Sequence, residues 1–146
     1  MRKKFLLMTF LLAIIGFCGT SLRAQDAIQI EIATETALRE FANAVNSGES
    51  YEGRTVTLTD DITLIGEWTP IGNGARNSKT YTGKAFKGTF DGGDHTISGL
   101  KITSTSGDND AVGLFGIVDG GTVKNLNLTD VNINVASSNL AGAAIV

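Results

Sequence analysis

The chain has 146 residues, with 12 Lys and Arg against 15 Asp and Glu, one histidine and one cysteine. That length suits one domain of modest core, and a lone cysteine excludes an internal disulfide framework. The acidic balance disfavours nucleic acid and anionic membrane surfaces as partners.

Residues 1–24 read as a secretory signal peptide. Arg2, Lys3 and Lys4 form a positive start, Phe5 to Phe17 is an apolar run, and Leu22-Arg23-Ala24 places a small residue before the expected cleavage. About 20 apolar residues are needed to span a bilayer, so this shorter run predicts no stable membrane insertion. Phe17 before Cys18 is a poor lipidation context. Removing the leader takes away four cations and no acids, leaving eight cations against fifteen acids, a net charge of −7. The expected location is secreted or cell-surface. The mature chain, without cysteine, must be held by packing and backbone hydrogen bonds.

Residues 25–50 predict a strand followed by a capping helix. Ile28, Ile30 and Ile32 alternate with Gln29 and Glu31, a half-buried strand pattern. Leu38, Phe41, Ala42 and Val45 then follow helical spacing over about residues 35–46. Thr34 or Thr36 is placed to cap its start, and Asn46-Ser47-Gly48 to stop it. From residue 51 to 146 the pattern is short strands and glycine turns. Thr55 to Thr59 and Ile62 to Ile65 are strand candidates with Asp60-Asp61 at the corner. Gly72 to Lys84 loses apolar periodicity and reads as a long polar loop.

From Phe86 to Ile133 the sequence repeats itself. Phe90-Asp91-Gly92-Gly93 and Thr96-Ile97-Ser98-Gly99-Leu100 return as Val118-Asp119-Gly120-Gly121 and Thr122-Val123-Lys124-Asn125-Leu126, with Asp94-His95 in excess in the first copy. A β-rich period in the twenties predicts an all-β solenoid: a right-handed parallel β-helix carrying an N-terminal amphipathic capping helix. On this alignment Asp91 and Asp119 lie one above the other, and Asn125, Asn127, Asn132 and Asn134 form side-chain ladders. The final residues, Asn139 to Val146, are uncharged and end the array on an apolar edge, so a longer array or a pairing partner is expected.

Trp68-Thr69-Pro70-Ile71-Gly72, Phe86-Lys87-Gly88-Thr89-Phe90-Asp91-Gly92, Ile97-Ser98-Gly99-Leu100 and Gly113-Leu114-Phe115-Gly116 together resemble the run found in secreted Bacteroidetes surface proteins with GLUG-type repeats. Similar repeats occur beside the catalytic region of bacterial immunoglobulin-A peptidases and in filamentous adhesins. The resemblance covers most of residues 30–146. It implies a right-handed parallel β-helix exported to the cell surface, with adhesion as the usual role of the class.

Little in the chain points to catalysis. His95, the one histidine, sits in a turn with no nucleophile elbow around any serine, and a helical zinc-protease pair needs two histidines. Gly107-Asp108-Asn109-Asp110 lacks the distal acid of a calcium loop. No catalytic residue, metal site or cofactor is therefore expected. Trp68, Arg76, Lys79, Tyr81 and Lys84 are the candidate ligand-binding residues, three cations and two aromatics in or beside an acid-free loop. The leading expectation is a non-catalytic adhesion or scaffold module whose partners are a host protein or glycan surface and further repeats of the same protein. The alternative is a polysaccharide-active β-helix enzyme, a lyase or hydrolase, or an accessory part of one, built on clustered acids such as Asp91, Asp94 and Asp119.

Overall fold

A computed structural model describes residues 29–77, 80–103, 111–134 and 142–144. The predicted leader and the Gly107 to Asp110 loop lie outside the described residues. Strands β1 (Gln29–Ile32), β2 (Thr55–Leu58), β3 (Ile62–Thr63), β4 (Asn73–Asn77) and β5 (Thr80–Lys84) are followed by β6 (Thr89–Asp91), β7 (Thr96–Ser98), β8 (Lys101–Ile102) and β9 (Ala111–Gly113). Strands β10 (Thr122–Lys124), β11 (Asn127–Thr129), β12 (Asn132–Ile133) and β13 (Gly142–Ala144) follow. One helix, α1 (Glu35–Ser47), joins β1 to β2. The molecule is thus mostly strands in parallel sheets with a single helix among the described residues.

The largest sheet runs β1-β2-β6-β10, beside β11-β7-β3, β12-β8 and β13-β9, all paired in parallel. Parallel strands need long crossovers, and here the chain visits the other sheets before returning to each. Thr55, Thr89 and Thr122 share one register line, as do Val56, Phe90 and Val123. Ile62, Ile97 and Leu128 form another line, and Ile102 faces Ile133. Alternation puts Val56, Leu58, Phe90 and Ile97 inside, each at most 1% exposed, while the threonines between them point outward.

This register corrects the predicted repeat. Phe90 lies opposite Val123, 33 residues on, and Ile97 lies opposite Leu128, 31 residues on, so the period is in the thirties. Asp91 consequently faces Lys124 instead of stacking on Asp119. The turn glycines after Asp91 and Asp119 misled the alignment because both stretches are turns, whereas the ladder follows the apolar inward positions. The two-residue excess is real but differently placed. Gly92 to His95 separates β6 from β7, and only Asn125 and Leu126 separate β10 from β11.

Helix α1 forms where its apolar spacing requires. Thr34 is the N-cap, its Oγ1 accepting from the Ala37 amide at 3.2 Å, and Gly48 ends the helix at φ 115°. Leu38, Phe41, Ala42 and Val45 are buried. Phe41 meets Tyr51 edge-on at 4.9 Å and Phe86 at 5.6 Å, and it stacks on Phe90 at 5.8 Å. Phe115 continues this cluster at 5.3 Å from Phe90. Polar bonds fix the helix at both ends. Glu35 Oε1 accepts from the Ile65 amide at 2.9 Å, Arg39 donates to the Ile65 and Glu67 carbonyls, and Asn46 holds Pro70 O and the Gly72 amide.

The stretch predicted as a loop from Gly72 to Lys84 is a hairpin. Strands β4 and β5 pair antiparallel from Asn73↔Lys84 to Asn77↔Thr80. Apolar periodicity is a signal of one buried face, and a two-stranded ribbon can form on its backbone ladder without one, which is why the periodicity test missed it.

Candidate functional site

The base of the β4-β5 hairpin, the end of α1 and the segment entering β10 enclose a cleft of about 920 Å³. Its wall includes Ser50, Lys84, Lys87, Phe115, Val118 and Val123. Lys84 is exposed, and its Nζ hangs over the C-terminal turn of α1, 3.3 Å from where a Cβ on Gly48 would lie. An ammonium there complements the negative end of the helix. Lys87 pairs with Asp119 at 2.8 Å, and that carboxylate raises the lysine pKa.

Of the five predicted ligand residues, Trp68 and Lys84 have described side chains, and they lie apart: Lys84 is on the cleft wall and Trp68 is in the core. Trp68 is only 4% exposed; its Nε1 donates to Leu114 O at 3.1 Å and the Arg39 guanidinium lies 5.4 Å from its ring centroid. It is a core anchor beside the hairpin, which corrects its place on a contact surface. Arg76 and Tyr81 occupy directly opposed positions of the hairpin ladder. Lys79 lies outside the described residues. Lys84 is on the cleft wall. Lys87, Phe115 and Val118 were not singled out by sequence; the signal available for Lys87 was its place beside the inward Phe86, at the mouth of a turn.

Of the carboxylates of the enzymatic alternative, Asp119 pairs with Lys87 and Asp91 is engaged with its neighbours, as are Asp61 and Glu67. Asp91 receives Lys124 Nζ at 2.9 Å, the Gly93 amide at 3.1 Å and Asn125 Nδ2 at 3.0 Å. These donors, Lys124 foremost, hold its pKa down to about 2. Asp61 accepts the Thr96 amide at 2.8 Å and lies 3.4 Å from His95 Nδ1, so its carboxyl also sits below the usual range, the amide contributing most. Glu67 is lowered by the Thr103 hydroxyl at 2.7 Å and amide at 2.9 Å, with Lys101 3.1 Å away. Asn125 and Asn127 reach the preceding strand as expected of ladder residues, yet they donate to Asp91 and to Asp94 O in place of another asparagine. Among the described residues no group of three His, Cys, Asp or Glu side chains is placed to hold a metal ion, and no helix is long and apolar enough to cross a membrane.

A stretch of the chain is similar to halomucin. The two are 41% identical over 73 residues, which is 49% of this chain and 1% of the halomucin of Haloquadratum walsbyi. The chain thus spans about one hundredth of the length of that relative. No family model matches the chain, and no solved structure matches it.

Proposed function

We propose that the chain is a non-catalytic, exported adhesion or scaffold module, built as a right-handed parallel β-helix of the GLUG-type repeat class and capped at its start by α1. The observation that carries this reading is the fate of the carboxylates beside β3 and at the end of β6. Asp61, Glu67 and Asp91 each accept backbone amides and face a cation or His95 on a neighbouring strand. Such groups are spent on holding adjacent strands in register, while a general acid needs a proton to give near neutral pH. Asp91, held at about 2, is ionised at neutral pH and has none, and the lone pairs a base would use are taken by Lys124, the Gly93 amide and Asn125.

In this reading residues 1–24 direct export with cleavage after Ala24, and the hairpin and the outward threonine rows present flat polar surface to a host protein or glycan. The partial likeness to halomucin supports use of such a stretch within a far longer protein. The test is a panel of matrix proteins and glycans presented to the folded chain, run beside assays for polysaccharide cleavage. Binding to a matrix protein or glycan, with no released sugar, is expected. Silence across the whole panel would overturn adhesion, and cleavage lost in Asp91→Ala would replace the proposal with the enzymatic alternative.

A further inference from the structure

The hairpin leaves the stacked strands after Ile71 and returns to them at Phe86, and both of these residues are fixed. Ile71 donates to Leu114 O at 2.9 Å and accepts from the Gly116 amide at 2.8 Å, while Phe86 donates to Ile117 O at 3.0 Å. Both side chains are fully buried. Beyond them β4 and β5 pair with each other and, among the described residues, with no further strand. The stack therefore fixes where the hairpin is rooted but supplies no ladder that fixes where it points.

Gly72, at the exit, leaves that direction open by its own chemistry. Its φ is 81°, in the left-handed region that glycine enters freely. A Cβ there would lie 2.5 Å from Ile117 O and 3.1 Å from Lys84 O, so this position cannot carry a side chain to brace the exit. The last turn of α1 holds it instead. Asn46 Oδ1 accepts from the Gly72 amide at 2.9 Å and Asn46 Nδ2 donates to Pro70 O at 3.0 Å, so one side-chain amide grips the backbone on both sides of Ile71. Ala42 and Val45, on the same face of the helix, are buried, which seats Asn46 half-buried at the rim of that face. The returning strand meets the same turn. Cε and Cδ of Lys84 lie 3.6 and 3.8 Å from where a Cβ on Gly48 would be.

We infer that Asn46 is the positioning residue of the hairpin: it sets the direction in which β4 and β5 leave the stack, so that α1 and the hairpin hold one orientation together. An amide suits this task because it donates and accepts at once, which a carboxylate or an alkyl group of that size does not. The helix that covers the interior thereby also aims the hairpin. The consequence for recognition rests on the proposal that the hairpin and the threonine rows present surface to a host protein or glycan. A partner touching both needs them in one relative orientation, and its affinity falls with the fraction of molecules that hold it.

The test measures residual dipolar couplings of backbone amides in the full chain, with no partner added. In the unsubstituted chain the couplings of β4 and β5 should fit the same alignment as those of β2, β6 and β7. In Asn46→Leu, close in size but with neither bond, the couplings of β2, β6 and β7 should be kept while those of the hairpin shrink and depart from the common fit. Asn46→Asp, which can still accept from Gly72 but no longer donates to Pro70 O, should fall between the two, and it carries the test should Asn46→Leu unfold. A bond that merely secured the helix end would lower the unfolding midpoint in urea and leave the hairpin couplings alone. Unchanged hairpin couplings in a folded variant, or hairpin couplings already outside the common fit in the unsubstituted chain, would overturn the inference whether or not the adhesion assays find a partner. With a partner from those assays in hand, a fall of the aimed population to about one tenth should weaken binding to Asn46→Leu about tenfold. Equal affinity alongside altered couplings would overturn the consequence for recognition.

Discussion

At Asp91 a lysine ammonium, a backbone amide and a side-chain amide converge on one half-buried carboxylate, and two of the three come from the next strand and the turn that follows it. The ionised form is therefore favoured in the folded chain, which depresses the pKa to about 2 from the ordinary aspartate value near 3.9. A carboxyl with a depressed folded pKa contributes stability that is present above its unfolded pKa and lost as pH falls through the folded one. Unfolding midpoints in urea should accordingly drop between about pH 4 and pH 2. Asp91→Asn should be less stable than the parent at pH 7 and lose less on going to pH 3, although Asp61, Glu67 and Glu35, also lowered by hydrogen bonds, continue to titrate in both. Equal slopes for the two proteins would show that the Lys124 contact is too solvated to matter. Gly92 beside it answers to space: a Cβ there would lie 2.2 Å from Asn125 O, so the turn approaches the neighbouring backbone as only glycine allows.

At the scale of the element, α1 owes its position to one face and two ends. The sequence disclosed the helix itself completely, because Thr34, the Leu38-Phe41-Ala42-Val45 spacing and Gly48 are local signals that need no knowledge of the rest of the chain. What it could not disclose was the contact that seats the helix. Phe41 touches Tyr51, Phe86 and Phe90, the last two far along the chain, and the Arg39 guanidinium fits between Trp68 and the Ile65 and Glu67 carbonyls. The two kinds of signal predict different costs. Thr34→Ala removes one cap and should cost about 1 kcal/mol. Phe41→Ala leaves a void among three aromatic rings and should cost about 3–5 kcal/mol. Chemical denaturation measures both; comparable losses would mean that the helix is held by its ends and not by its buried face. Trp68 and the hairpin mark the limit of local reading. An aromatic next to a polar stretch looks like a contact residue, and only the position of Leu114 O, 46 residues away, reveals it as core.

For the whole molecule, the repeat was legible and its register was not. Asp-Gly-Gly recurs because turns need it, but the ladder is set by which apolar residues face inward, and the first copy follows β6 whereas the second precedes β10, so the two are out of step. The same ladder predicts how stability is distributed. Strands β2, β6 and β7 have partners on both sides and fully buried inward residues, whereas among the described residues β10, β11 and β12 have a partner on one side and half-buried inward residues. Local opening is easiest where few apolar contacts and many exposed backbone groups coincide. In dilute solution, amide hydrogen exchange should be slowest at Val56, Phe90 and Ile97 and clearly faster at Val123, Leu128 and Ile133. Protection that is uniform along the register lines would mean that unfolding is all-or-none and that the half-buried strands open no more readily than the inner ones.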